Sequence, residues 1–278
     1  MTDGSVRARF LQEIDRPSEE IDLAMGAHLI AKEEYPQLPV ARYLARLDEL
    51  SEEVHDHLSG ESAPLFVLSE LLATLHVRRK FRGNRKAYYD PRNSFLNDVL
   101  DRGLGIPLTL GIVVLEVGWR LDLPVEGVSF PGHFLVRHRG EALSFLVDPF
   151  EHGPLRQEHE AQELLDRVYG GIVRLQERFL RVASKRDMLV RLLTNLKSLY
   201  VNVSDHPRAL AAVERILAIR PTAYPEVRDR GMILARLGRA DEALEQLEAY
   251  LDLAPRAPDL ETIQELVAQL RTGRPRGD

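Results

Sequence analysis

Apolar positions recur at helical spacing through the first part of the chain. Ile21, Met25, His28, Leu29 and Ala31 form one stripe, and Val40, Tyr43, Leu44, Leu47, Leu50 and Val54 form another. Pro36 and Pro39 separate them, because proline removes a backbone donor and breaks the helical ladder. Pro64 suits the first turn of a third segment, which runs through Leu68, Leu71, Leu72 and Leu75. The spacing predicts helices from residue 5 to about 80. The stretch FRGNRKAYYDPRNS, residues 81–94, breaks the period and reads as an ordered loop. A short helix is predicted from Ser94, stopped by Gly103 and Gly105. Pro107 then opens an apolar helix through Leu108, Ile112, Leu115, Glu116 and Trp119, which Pro124 ends. Three strand-like runs follow at residues 125–130, 133–138 and 143–148, punctuated by Pro131-Gly132 and by Arg139-Gly140-Glu141. Two further helices are expected at about 156–169 and 174–183.

The last third repeats itself. A shift of 34 residues lays Ala209 on Ala243, Leu210 on Leu244, Val213 on Leu247, Leu217 on Leu251 and Pro221 on Pro255. A 34-residue helix–turn–helix period with small alanines and a closing proline resembles the tetratricopeptide repeat. Two repeats are read at about 188–221 and 222–255, with Gly238 at a turn, followed by a helix built on Leu260, Ile263, Leu266, Val267 and Leu270. Such repeats carry concave peptide-binding surfaces, so a protein or peptide is the expected partner.

Composition narrows the chemistry. Among 278 residues, 37 Lys and Arg stand against 43 Asp and Glu, a formal net charge of −6, which argues against a general nucleic-acid binder. Cysteine is absent, so disulfides, thiolate metal sites and a cysteine nucleophile are excluded. The start of the chain reads as neither a leader nor an anchor, so a cytoplasmic protein without a membrane span is expected. No cofactor or metal is expected: His55 and His57 diverge on a helix, and His152 and His159 have no evident partners. Arg78, Arg79, Lys80, Arg82, Arg85 and Lys86 form one basic cluster, read as a salt-bridged loop.

His133 and Asp148 carry the candidate chemistry. A two-residue turn at Gly140-Glu141 would set residue 139 against 142 and hence His133 against Asp148. Opposed residues in an antiparallel pair lie with Cβ atoms ~4.5–5.5 Å apart, so the carboxylate would orient the imidazole. That is a base and its orienter, lacking a nucleophile. The natural source of one is the first turn after Pro107, where the helix terminus favours negative charge and Thr109 supplies a hydroxyl.

This order of helix, His-bearing strand and Asp-Pro strand resembles the transglutaminase-like branch of the papain-like cysteine-protease superfamily. The runs GNRKAYYDPRNSFLNDVL, GIPLTLGIVVLEVGWRLDLPVEGVSFPGHFLVR and LVDPFEHG resemble a bacterial family, the Sir B-type proteins, over about residues 21–270. That family joins a transglutaminase-like domain to tetratricopeptide repeats, and some members are described as regulators of invasion-gene expression. The resemblance implies an α+β, mostly helical chain: an N-terminal helical region (1–80), a papain-like/transglutaminase-like core with a small antiparallel sheet (81–183), and tetratricopeptide-like repeats with a C-terminal helix (184–278). It gives His133 the role of base and Asp148 that of orienter, and sets the superfamily's cysteine near residues 107–109, where this chain has none.

The expected function is therefore a non-catalytic interaction or regulatory factor. The alternative is a hydrolase or acyltransferase using Thr109 with His133 and Asp148. The loop at 83–94 is the candidate mouth of the pocket, and Asn84, Tyr89, Asn93 and Asn97 are its candidate binding residues. Asn93 or Ser94 could alternatively cap the short helix, Tyr88 and Tyr89 could be half-buried anchors, and Asp148 before Pro149 could simply start a turn.

Overall fold

The structure is a computed structural model that describes residues 3–140, 144–151, 156–157 and 160–273. It is mostly helical and divides into two compact units, Met1–Leu192 and Leu193–Asp278. In the first unit the predicted helices form as α1 (Asp3–Asp15), α2 (Leu23–Glu34), α3 (Val40–His57) and α4 (Pro64–Leu72). The α3 stripe buries Val40, Tyr43, Leu47, Leu50 and Val54, and Pro64 opens α4. A π-helical turn, Ala73–Arg78, continues α4 and releases the chain into the loop. Two-residue strands β1 (Arg82–Gly83) and β2 (Leu104–Gly105) pair in parallel on either side of α5 (Leu96–Arg102).

The centre of the unit is α6 (Pro107–Arg120), buried continuously from Pro107 to Gly118. It packs against α2, α3 and α4 and against strands β3 (Val125–Val128) and β4 (Leu135–Arg139). Its one buried carboxylate, Glu116, accepts hydrogen bonds from the backbone N–H of Ala24 at 3.0 Å and from Arg120 Nη1 at 2.6 Å. Asp22 accepts from the next amide, Met25, at 2.8 Å, so two carboxylates satisfy amides at the start of α2 that have no partner within the helix.

Strands β3, β4, β5 (Ser144–Val147) and β6 (Arg156–Gln157) form one antiparallel sheet in that order. The far face of the sheet is closed by α7 (Ala161–Tyr169), whose Leu164 and Leu165 join Val128, Phe130, Leu135 and Leu146 in a core cluster. Arg139 pairs with Ser144, not with residue 142, so four residues separate the strands and the two-residue turn is ruled out. Glu141 itself lies outside the described residues. His133 precedes β4 and Asp148 follows β5, so neither stands in the ladder.

Residues 174–183 do not form the expected helix. Only Glu177–Leu180 make a 3₁₀ turn, and the backbone N–H of Ala183 donates to Gly127 O at 2.8 Å, so the segment runs along the edge of β3. The short helix starts at Leu96 behind Phe95 with no side-chain cap, so neither Asn93 nor Ser94 serves that role.

The chain crosses from one unit to the next within α8 (Lys185–Asn202) and continues as α9 (His206–Ile219), α10 (Tyr224–Arg236), α11 (Ala240–Leu253) and α12 (Leu260–Thr272). Ala209 and Ala243, equivalent in the 34-residue period, are both fully buried. Gly238 takes a φ of +74° between α10 and α11, a conformation open to glycine at little steric penalty. No helix among the described residues is long and apolar enough to cross a membrane.

Two stability predictions follow from the first unit. Leu115 in α6 is fully buried, so Leu115→Ala should destabilise the chain by about 2–5 kcal/mol in chemical denaturation. His28 is fully buried, donates from Nδ1 to Ala24 O at 2.7 Å, and is pushed down to about 4 by burial. The folded chain therefore refuses a proton that the unfolded chain accepts between pH 6.5 and 4. This contribution is complete above pH 6.5 and is lost on acidification, up to about 3 kcal/mol near pH 4. In His28→Gln, denaturation midpoints should change less across that window than in the parent chain.

Candidate functional site

His133 is delivered by a tight turn after β3. Its backbone N–H donates to Phe130 O at 3.0 Å, and Gly132 takes a φ of +66°. A Cβ on Gly132 would lie 2.9 Å from Val168 Cγ1 and 3.2 Å from the Tyr169 hydroxyl, so both backbone angle and space require glycine. His133 Nε2 donates to Asp148 Oδ1 at 2.8 Å. The two side chains meet beyond the ends of their strands and not as opposed ladder residues.

Asp148 is 4% exposed. Its Oδ1 also accepts from the backbone N–H of Phe150 at 3.0 Å and of Glu151 at 3.1 Å, so the turn-starting role and the dyad coexist in one carboxylate. Oδ2 is buried without a hydrogen-bond partner among the described residues. Burial alone would raise the pKa. The hydrogen bond and charge of His133, with the two amides, outweigh it and hold the carboxyl below its ordinary value. The Phe150 ring packs edge-on to His133 with centroids 6.1 Å apart, and Tyr88 packs edge-on to Phe150 at 6.0 Å.

A cavity of about 270 Å³ opens beside the pair, lined by Tyr88, Pro107, Gly132, His133, Asp148 and Phe150, with Glu151, Leu164, Arg167 and Val168. The first turn of α6 thus faces the dyad with Pro107. Thr109 does not join this cavity: it is fully buried, its Oγ1 donates to Asn93 O at 2.7 Å and accepts from the Ile106 amide at 3.1 Å. The hydroxyl closes the helix terminus, as a side chain at that position is placed to do.

The loop residues are arranged differently from the expected pocket mouth. Asn84 Nδ2 donates to Asn93 Oδ1 at 3.0 Å, and Asn93 Nδ2 donates to Ala87 O at 2.7 Å. Asn84, Asn93 and Asn97 are buried, and the first two clamp the loop from within. Tyr89 is 75% exposed, with its ring edge-on to Tyr88, so it is no half-buried anchor. None of these four lines the cavity; Tyr88 and Phe150 do. The pattern VDPF held the signal for Phe150, since a carboxylate starting a turn brings the residue two positions on beside it. In the basic cluster, Arg78 pairs with Glu70, Arg79 with Glu53 at 2.6 Å, and Arg85 with Glu151. Among the described residues no group of three or more His, Asp or Glu could hold a metal ion. His152 and His159 lie outside the described residues.

Asp148→Asn should destabilise the chain by about 1–3 kcal/mol at neutral pH, because a buried acceptor of three hydrogen bonds loses its charge. A depressed carboxyl contributes stability above its unfolded value, and the contribution is lost as pH falls through the folded one. The denaturation curves of parent and variant should therefore differ above pH ~4 and converge below it.

Residues 41–194 match the family model of the transglutaminase-like superfamily, and residues 196–268 match a tetratricopeptide-repeat model. A UPF0162 protein of Xylella fastidiosa strain 9a5c is 36% identical over 263 residues, which cover 92% of each chain. A UPF0162 protein of Vibrio cholerae is 28% identical over 258 residues, covering 92% of this chain and 95% of that one. Protein SirB1 of Salmonella typhimurium is 29% identical over 240 residues, covering 86% and 87%. No solved structure matches the chain. The match of over half the length to one model, the repeats behind it and these near full-length kin agree with the geometry of the core: the chain belongs to the transglutaminase-like superfamily, in the SirB-type group that joins this domain to tetratricopeptide repeats.

Proposed function

We propose that this protein is a non-catalytic binding and regulatory factor, in which the cavity beside His133 and Asp148 holds a ligand and the repeats hold a protein or peptide partner. The observation that carries the reading is the cavity wall. An imidazole oriented by a carboxylate faces Pro107, and the chain contains no cysteine. A base with no thiol or free hydroxyl beside it to deprotonate lacks the nucleophile of covalent catalysis, which supports a binding role. Thr109 offers no substitute, since its hydroxyl is buried and engaged on both sides. Tetratricopeptide repeats generally mediate protein interactions, which supports assigning the partner to residues 196–268. A cytoplasmic location belongs to the same proposal.

The test adds back what is missing. Pro107→Cys would carry the only thiol in the chain, so alkylation reports on that site alone. It should react with iodoacetamide at least ~10-fold faster than the double variant Pro107→Cys/His133→Ala, because a neighbouring imidazole raises the thiolate fraction. The parent chain and Thr109→Ala should both leave generic nitrophenyl esters and anilides at the uncatalysed rate. Turnover by the parent chain that disappears in Thr109→Ala would overturn the reading in favour of a hydroxyl enzyme.

A further inference from the structure

Arg191 is a withdrawn cation of the first unit, close to the turn that carries His133. Its Nη1 donates to Ser129 Oγ at 3.0 Å and, at 3.4 Å, to Phe130 O, the same carbonyl that accepts the His133 amide. Its guanidinium carbon lies 5.9 Å from the Phe134 ring centroid. Among the described residues no carboxylate lies within ion-pair reach of it. Other withdrawn cations of the unit are answered by carboxylates, Arg120 by Glu116 and Asp48 and Arg137 by Glu126, or by backbone carbonyls alone, as Lys32 is by Leu38 O. Withdrawing a charge from water without a counter-charge is unfavourable, and burial lowers the Arg191 pKa as that predicts. Tyr88 and Tyr169 act on its charge through space.

One of these tyrosines, Tyr88, lines the cavity, and the other lies behind a lining residue, with the Tyr169 hydroxyl against Gly132. Arg167 also lines the cavity and has no ion-pair partner among the described residues. The rim carboxylates are already engaged, Asp148 by His133 and Glu151 by Arg85. Among the described residues that line the cavity, the charge left without a counter-charge is the positive one of Arg167. Inside, His133 spends its Nε2 hydrogen on Asp148, which leaves Nδ1 as an acceptor for a ligand N–H or O–H.

We propose that this rim binds the oxyanion of a small organic ligand, a carboxylate or a phosphate monoester, through Arg191 and Arg167, while the rest of the ligand enters the cavity and donates to His133. The inference rests on reading the cavity as a ligand site. The guanidinium fork suits either oxyanion, and the tyrosine hydroxyls add neutral donors.

The full chain is titrated calorimetrically with N-benzoylglycine, its uncharged amide and phenyl phosphate. One of the two anions should bind saturably, and N-benzoylglycinamide should bind at least ~10-fold more weakly than the acid. Arg191→Gln should weaken anion binding by a similar factor. Because that variant also loses the bond to Phe130 O, Arg167→Gln serves as the second: it should weaken anion binding without moving the thermal denaturation midpoint. Preference for phenyl phosphate would identify the phosphate source, and preference for the acid the carboxylate. If amide and acid bind alike and His133→Ala abolishes both, the cavity reading stands and the anion inference is overturned. If no probe binds, or binding survives the cavity-filling Pro107→Trp, both are overturned.

Discussion

A helix without a polar stripe has to be surrounded, and most of the first unit is the surrounding that α6 demands. From Pro107 to Gly118 every residue is buried. Helices α2, α3 and α4 and strands β3 and β4 all pack against α6. The single carboxylate on that stretch is accommodated because the start of α2 needs an acceptor where Glu116 can supply one. Once α6 is enclosed, its first turn ends beside the turn that enters β4 and the chain that leaves β5. The cavity lies where these three chain ends converge.

Within that convergence, Asp148 organises more than its histidine. One oxygen collects the His133 ring and two consecutive amides, so the same contact bends the chain after β5, seats Phe150 against the imidazole, and fixes which ring nitrogen stays available. Arg191 ties the other side, sharing the Phe130 carbonyl with the His133 amide. The site is thus held by groups belonging to its own two turns and to the start of α8, with the loop at 84–93 clamped separately by its asparagines.

Helices were legible where burial follows a period of 3.6, as on α3, and where a longer period repeats, as Ala209 and Ala243 do. The encounter of His133 with Asp148 was legible too, although for the wrong geometric reason. Local sequence does not encode how many residues a hairpin loop takes up, and Arg139 pairing with Ser144 moves the register by two. Residues 174–183 carry helix-compatible side chains, yet they form only a 3₁₀ turn, and Val182 and Ala183 meet the free backbone edge of β3. Thr109 shows the limit of reading chemistry from residue type. A hydroxyl three positions after Ile106 is as suited to closing a helix terminus as to attacking a substrate, and only the Asn93 carbonyl decides between the two. Asn84 and Asn93 looked like pocket residues because polar loop side chains so often are. Their mutual bond, nine residues apart, makes them internal struts.

Pro107 carries a second consequence besides its want of sulfur. Its ring nitrogen has no hydrogen, so at the helix tip facing His133 there is one amide donor fewer than any other residue would provide. A carbonyl oxygen resting against that wall would meet a methylene where an acyl-transfer enzyme places a donor for the charge of a tetrahedral adduct. One pyrrolidine ring thus offers this wall neither a nucleophilic atom nor an amide donor. A single change at this position would return both together.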